Sequence, residues 1–289
     1  MNKKYELTEE TRTLEDGTVL HRIRAVRDFT SVDGMEVKEG DLGGWIEEED
    51  NLSHGGSAWV SGSARVFGSA WVSGEAQVSG SARVSGEAWV SGEAQVSGEA
   101  RVSGEAQVSG EAQVSGEARV YGSAWVGGKA RVSGEAQVSG EAQVSGEARV
   151  SGSAEVGGSA WVSGEAQVYG SARVSGSAEV GGKARVSGEA QVSGEAQVSG
   201  SAEVGGKADY AVYKNTWSSG RWFTYTRSDR MWQAGCFRGT GEELVAKAYK
   251  DSELSGRCYE AIVRAQEAID KAIGEEERRN EGAEKSQGR

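Results

Sequence analysis

Ser91-Gly92-Glu93-Ala94-Gln95-Val96 is one copy of a six-residue unit that fills half the chain. Valine recurs at every sixth position from Val60 to Val204, giving 25 consecutive hexads, and alanine stands two places before each valine. That two-residue spacing puts Ala94 and Val96 on one face of an extended strand and Gln95 on the other. The Ser-Gly-Glu half then forms a bend, where glycine supplies backbone angles closed to other residues. A helix would need apolar residues at a 3.6-residue period, which a strict six cannot give. Short strands with a bend every six residues describe a three-sided parallel β-coil with 18 residues to the turn, a solenoid. Successive coils stack about 4.8 Å apart, so 25 hexads predict about eight coils and a column about 40 Å long. Val and Ala methyl groups fill its bore and leave no room for a ligand.

The V-x-G-x-A-x-V pattern resembles the repeat of the hexapeptide-repeat, left-handed β-helix proteins in its aliphatic residue and in the small residue two before it. It differs in placing Gly two positions after the aliphatic residue rather than one. The lead-in Val37-Lys38-Glu39-Gly40-Asp41-Leu42-Gly43-Gly44-Trp45-Ile46, with Asn51-Leu52-Ser53 and Gly56-Ser57-Ala58-Trp59-Val60, resembles the bacterial YdcK-like subgroup and its phage-borne relatives. This likeness extends over roughly residues 1–208. It implies a left-handed coil, whereas the period by itself fixes three sides and no hand. A bacterial or phage origin is likewise implied by the resemblance alone. The expected fold class is mainly β: a left-handed parallel β-helix with a small α+β C-terminal module.

Four segments are expected. Residues 1–56 form a β-rich cap, in which Val19–Val26 alternates in places and Asp16-Gly17 and Asp33-Gly34 signal hairpin turns. A solenoid end is an exposed edge of unpaired backbone groups, so a cap on the first coil is needed for solubility. Residues 57–208 form the array. Residues 209–274 form an α+β head that caps the last coil or docks a partner. Its strands are expected at Tyr210–Tyr213, Arg221–Thr226 and Met231–Phe237, and Thr240-Gly241-Glu242-Glu243 opens a short helix as a capping box. A second helix begins near Asp251 or Ser252, with a stripe of Leu254, Cys258, Ile262, Ala265, Ile269 and Ala272/Ile273 facing the sheet. Residues 275–289, charged and poor in apolar side chains, are expected as a disordered tail.

The net charge is −12 over 289 residues, and residues 1–56 carry 14 acidic against 7 basic groups. Such acidity argues against nonspecific binding to nucleic acid or an anionic membrane. No apolar run reaches membrane-spanning length, and Met1-Asn2-Lys3-Lys4 leads into no signal-peptide core, so a cytoplasmic location in a bacterium or phage-infected host is expected. Cys236 and Cys258 make no disulfide framework and are expected as buried thiols. Proline is absent, so every corner depends on Gly and Ser.

The resemblance points to acyl transfer as the activity most often associated with this fold, carried by a wall histidine and protruding loops. Residues 57–208 contain no His, no Cys, no Asp and no inserted loop, and the only histidines, His21 and His54, give no zinc triad. Cys236 has no neighbouring His in sequence, and Gly239-Thr240-Gly241 lacks the rest of a phosphate loop. An ice-binding rod would carry Thr ladders, and the array has no Thr. DNA mimicry would need charge far denser than this array holds. No catalytic, cofactor-binding or metal site is therefore expected, and no cofactor.

Sorting outward residues by 18 stacks Trp71, Trp89, Gln107, Trp125, Gln143, Trp161, Glu179 and Gln197 on one side. A second side carries Arg65, Arg83, Arg101, Arg119, Gln137, Glu155 and Arg173, and the third begins with Trp59 and Gln77. Trp71, Trp89, Trp125 and Trp161 either stack for stability or form a lateral interface for a protein partner or a second copy. The block SGSAEVGG recurs at 151, 175 and 199, a spacing of four hexads that is no whole number of coils. Growth by hexads does not respect which side a residue lands on, which suits a spacer. In the head, Trp217, Arg221, Trp222, Tyr225, Arg227 and Trp232 are a candidate binding surface, or simply core. The expected function is that of a non-enzymatic structural or interaction protein. The alternatives are an acyltransferase-family enzyme, or its inactive relative, and a self-assembling polymer.

Overall fold

The computed structural model describes residues 3–32, 34–206 and 208–287. Asp33 of the second expected turn, Lys207 at the array boundary, the first two residues and the last two of the expected tail lie outside the described residues. The chain divides into two compact units, Met1–Ser201 with Gly205–Lys207, and Ala202–Val204 with Ala208–Arg289.

The first unit opens with β1 (Tyr5–Thr13), β2 (Val19–Ala25), β3 (Phe29–Thr30), β4 (Glu36–Val37) and β5 (Leu42–Ile46). Two-residue strands then follow one per hexad, from β6 (Trp59–Val60) to β30 (Glu203–Val204). They pair in parallel with the strand 18 residues on, as Arg83 with Arg101, Trp89 with Gln107 and Gln95 with Gln113. Backbone rungs tie coil to coil: the amides of Trp89, Ser91 and Glu93 donate to the carbonyls of Ala106, Val108 and Gly110 at 2.8–2.9 Å. The repeat's Ala and Val side chains are fully buried, so the bore is a dry stack of methyl groups.

Glycine at the corner answers two demands at once. Gly92 sits at φ +67°, and a β-carbon there would lie 2.9 Å from the amide nitrogen of Gly110 one coil away. Any other residue would face left-handed strain and a backbone clash together.

The stack begins earlier than the unbroken hexads do. β5 pairs in parallel with the strand at Arg65, and Leu52 bridges to Val72, so β5, Leu52 and β6 complete a first coil and the solenoid has about nine turns rather than eight. The aliphatic ladder runs Ile46, Leu52, Val60, six residues and then eight. Two extra residues before Trp59 set Trp45↔Arg65 and Leu52↔Val72 20 apart, whereas Trp59↔Gln77 returns to 18. The array boundary expected at residue 57 therefore moves back to β5.

The cap meets this coil with side chains where no earlier coil exists. β1 and β2 form an antiparallel hairpin about Gly17, and β2 lies antiparallel on β5, extending the arginine-bearing sheet. Asn51 Nδ2 donates to the carbonyls of Gly68 and Ala70 at 2.8 and 2.9 Å, while Glu47 accepts the Gly68 amide at 2.7 Å. The buried Lys4 ammonium donates to the Ala58 carbonyl at 2.6 Å, and the Tyr5 hydroxyl donates towards the carbonyls of Glu49 and Leu52, 2.7 Å from each. Buried polar backbone without partners is costly, and these four residues remove that cost.

The second unit is a four-stranded antiparallel sheet, β31 (Tyr210–Lys214), β32 (Trp222–Thr226), β33 (Met231–Ala234) and β34 (Phe237–Gly239), with helices α1 (Gly241–Asp251) and α2 (Glu253–Gln287). The expected third strand is two strands, because Gly235 at φ +57° turns the chain between Ala234 and Phe237. Cys236 sits on that turn and is exposed, contrary to the buried thiol expected. Thr240 caps α1 as its sequence pattern requires, accepting the Glu243 amide while Glu243 accepts the Thr240 amide.

Two features of α2 differ from expectation. Leu254 and Ile269 are exposed, and Ser255, Val263 and Gln266 are buried instead, so the helix is rotated from the apolar stripe towards polar partners on the sheet. The helix also continues through residues 275–287, where a disordered tail was expected. Glu and Arg are good helix formers, and Arg227 of the β32–β33 turn grips Glu277 with two 2.7 Å hydrogen bonds.

Candidate functional site

On the array, the 18-residue sort holds residue by residue. Trp71 pairs with Trp89, Trp89 with Gln107, Trp125 with Gln107 and Gln143, and Trp161 with Gln143, all in one sheet. Trp71, Trp89 and Trp161 are 40–48% exposed, and the rings of Trp71 and Trp89 lie 5.1 Å apart. Three of the indoles lean back over the preceding coil: Trp89 Nε1 donates to Ser73 Oγ at 3.5 Å, Trp125 Nε1 to Ser109 Oγ at 3.0 Å and Trp161 Nε1 to Ser145 Oγ at 3.2 Å. Lys129 likewise stands 3.6 Å from Glu111, one coil away. The array's outer residues are thus partners of one another along the stack. Trp59, by contrast, is buried under Phe29 and Tyr5 of the cap.

In the C-terminal unit the six residues proposed as one surface separate. Tyr225 and Trp232 belong to a core with Phe223, Leu244 and Val263, and Trp217 packs edge-on against Tyr259 at 5.2 Å. Trp222 is exposed on the sheet with Lys214 5.0 Å from its ring, and Arg221 lines a different, smaller cleft beside Cys236. Only Tyr225, Arg227 and Trp232 come together, as part of a groove of about 640 Å³ between β32, β33 and α2.

α2 supplies the other wall with Gln266, Glu267, Asp270, Lys271 and Arg278, and the β32–β33 turn adds Arg230. The floor is polar but satisfied. The Tyr225 hydroxyl donates to Asp270, Gln266 donates to Asp270 at 2.9 Å, and Tyr213 donates to Gln266 at 2.5 Å. Burial and the Asp270 carboxylate push the Tyr225 phenol above its ordinary pKa, so it stays protonated and keeps donating. Asp270 is spent on this network and Glu277 on Arg227. Arg230, held at φ +55° in the turn, joins Lys271 and Arg278 as cations with no ion pair among the described residues. These three residues carried no sequence signal, because turn and helix bring them together from 40 to 50 positions apart.

Three parallel sheets closed in register around a methyl-filled bore define a parallel β-solenoid. Five stretches of the array are of the YdcK type: the family model described as the YdcK Beta solenoid repeat matches residues 76–92, 94–110, 112–128, 142–158 and 166–182. The first three matches begin 18 residues apart, one coil each, whereas the last two begin 24 apart, four hexads. A comparison with curated proteins finds no match to the chain. Among the described residues no helix is long and apolar enough to cross a membrane.

Proposed function

We propose that this is a non-enzymatic interaction protein in which the solenoid is a scaffold and the C-terminal groove receives an acidic segment of a partner protein. One observation carries the reading: Arg227, Arg230, Lys271 and Arg278 outnumber Glu267 and Asp270 around a groove floored by Tyr225 and Trp232, and Arg230, Lys271 and Arg278 form no ion pair among the described residues. Charge of this sign within a chain of net charge −12 is local and directional, and would steer an acidic partner towards the groove. A partially enclosed site with an aromatic base suits a side chain or short segment of a peptide.

Calorimetric titration of the full chain with a short oligoglutamate peptide tests this. Saturable binding that weakens with salt, and is lost in Arg230→Glu with Lys271→Glu, is the expected result; indifference of binding to those charges would remove the reading. The enzymatic rival is acyl transfer, and calorimetry with an acyl-CoA decides it, since heat of specific binding would argue for that rival.

A second reading concerns the solenoid. Three exposed indoles on one sheet favour lateral association with a second copy. Sedimentation of a variant with Trp71, Trp89, Trp125 and Trp161 changed to Ser reports on it directly: an unchanged mass excludes the association.

A further inference from the structure

A second groove, of about 450 Å³, lies in the first unit where the tip of the β1–β2 hairpin overhangs the arginine-bearing sheet. It draws three guanidinium groups together: Arg12 from β1, and Arg65 and Arg83 from successive coils. Like charges stacked in register repel one another, and a folded protein gathers them where something of opposite sign offsets the repulsion.

Among the described residues no carboxylate is paired with them here. Arg12, Arg65 and Arg83 form no ion pair among the described residues, and Arg65 Nε is buried without a hydrogen-bond acceptor. Two acidic residues share the rim. Asp16 is committed to the hairpin turn, accepting the Thr18 amide at 3.0 Å, and Glu15 makes no ion pair with the three arginines. Burial, and then the positive charges of Arg12 and Arg83, hold the Arg65 guanidinium below its ordinary pKa.

The sequence of the array points the same way. Along this side, Arg101 and Arg119 each follow a corner glutamate two positions earlier, Glu99 and Glu117. Arg65 and Arg83 follow Ser63 and Ser81. Arg173 follows Ser171 as well, but it has Glu155 3.4 Å away on the preceding coil, whereas Arg65 and Arg83 have each other as neighbours in the stack and no corner carboxylate. Phe67 and Leu14 supply an apolar wall, so the groove has space and surface for more than a bare ion.

We propose that this groove binds a phosphate-bearing small molecule, its oxyanion held by Arg12, Arg65 and Arg83 and its organic body against Phe67. Guanidinium presents planar, paired donors that match phosphate oxygens, and charge-assisted hydrogen bonds of this kind are the strong ones. The site is independent of the C-terminal groove and of its proposed partner.

Pyrophosphate is the probe, titrated calorimetrically into the full chain at low salt, with citrate as a parallel arm. Saturable one-to-one binding of pyrophosphate is expected. Arg65→Gln and Arg12→Gln should each weaken it by roughly tenfold or more, the loss of one charge-assisted contact. Arg101→Gln, on the same side but away from the hairpin, should leave it within about twofold, because it removes a like charge without a contact. Arg12 lies on the exposed hairpin, so its variant keeps the test valid should Arg65→Gln fail to fold by circular dichroism. Absence of saturation, equal weakening by Arg101→Gln, or binding of citrate in preference to pyrophosphate would each overturn the proposal.

Discussion

The Lys4 ammonium donates a 2.6 Å hydrogen bond to the carbonyl of Ala58, standing in for the backbone amide that a preceding coil would have supplied. The lysine is fully buried, and desolvation first, then the nearby Arg27 charge, lowers its pKa to about 8. Beside it, burial and the charges of Glu49 and Asp50 raise the Tyr5 phenol above its ordinary value of 10.0. The cap's stability should therefore depend on alkaline pH in a defined way. Between about pH 8 and 10 the unfolded chain holds the Lys4 proton and the folded chain does not, so stability rises, by roughly 3 kcal/mol at most. Above pH 10 the unfolded chain ionises Tyr5 first, and stability falls. Amide-exchange protection of β1 and β2 across this range should pass through a maximum, and Lys4→Met should remove the rising limb only. A steady fall from pH 8 would contradict the assignment.

Corner glycines should separate by their neighbours. Gly92→Ala meets the Gly110 backbone at 2.9–3.2 Å, whereas Gly194, whose φ of +68° is within a degree of that of Gly92, has nothing within 4 Å. Gly194→Ala should cost about 1 kcal/mol from left-handed strain alone, and Gly92→Ala about 3 kcal/mol once overpacking adds to it. Urea midpoints of the two variants test the difference, and equal losses would mean that coil-to-coil contact is unimportant.

The tryptophan ladder gives a narrower expectation. Ser145→Ala removes the acceptor of the Trp161 indole and should destabilise the stack by about 0.5–1.5 kcal/mol, with the β-sheet circular dichroism unchanged. A neutral substitution would show that the contact contributes nothing to the stack.

The distal turns of α2 depend on one bidentate pair. The Arg227 guanidinium holds the Glu277 carboxyl below the usual range, so Glu277→Gln, or acid taken below that depressed value, should release the pair. Faster amide exchange confined to residues beyond Gly274 is the expected signature. Exchange unchanged by the substitution would mean that the helix end needs no such tie.

How much of this could be read from residues alone follows from physics that is local or not. The Ala–Val alternation and the corner glycine repeat at a fixed spacing, so the sheets, their register and the composition of each side were legible down to Arg65, Trp71 and Trp59. The first coil was hidden because two extra residues near His54 break the period, although Ile46 and Leu52 still keep six. In the C-terminal unit the helix start and the first strands were legible from Thr240 and the aromatic residues, while the turn at Gly235 that divides the third strand and α2's orientation were not. Gln266 and Asp270 face the sheet for the sake of Tyr213 and Tyr225, and a hydrophobic stripe cannot announce polar partners. For the same reason Trp217, Tyr225 and Trp232 looked like surface as much as core.

The stack's 18-residue register underlies every assignment on the solenoid, and disulfide trapping measures it directly. In a background of Cys236→Ser and Cys258→Ser, Gln95→Cys with Gln113→Cys places thiols on paired neighbouring strands, within the reach of a disulfide. Gln95→Cys with Arg101→Cys places them on different sides of the coil. Rapid oxidation of the first pair and none of the second is the expected result. Cross-linking of the six-residue pair as readily as the eighteen-residue one would contradict the three-sided coil.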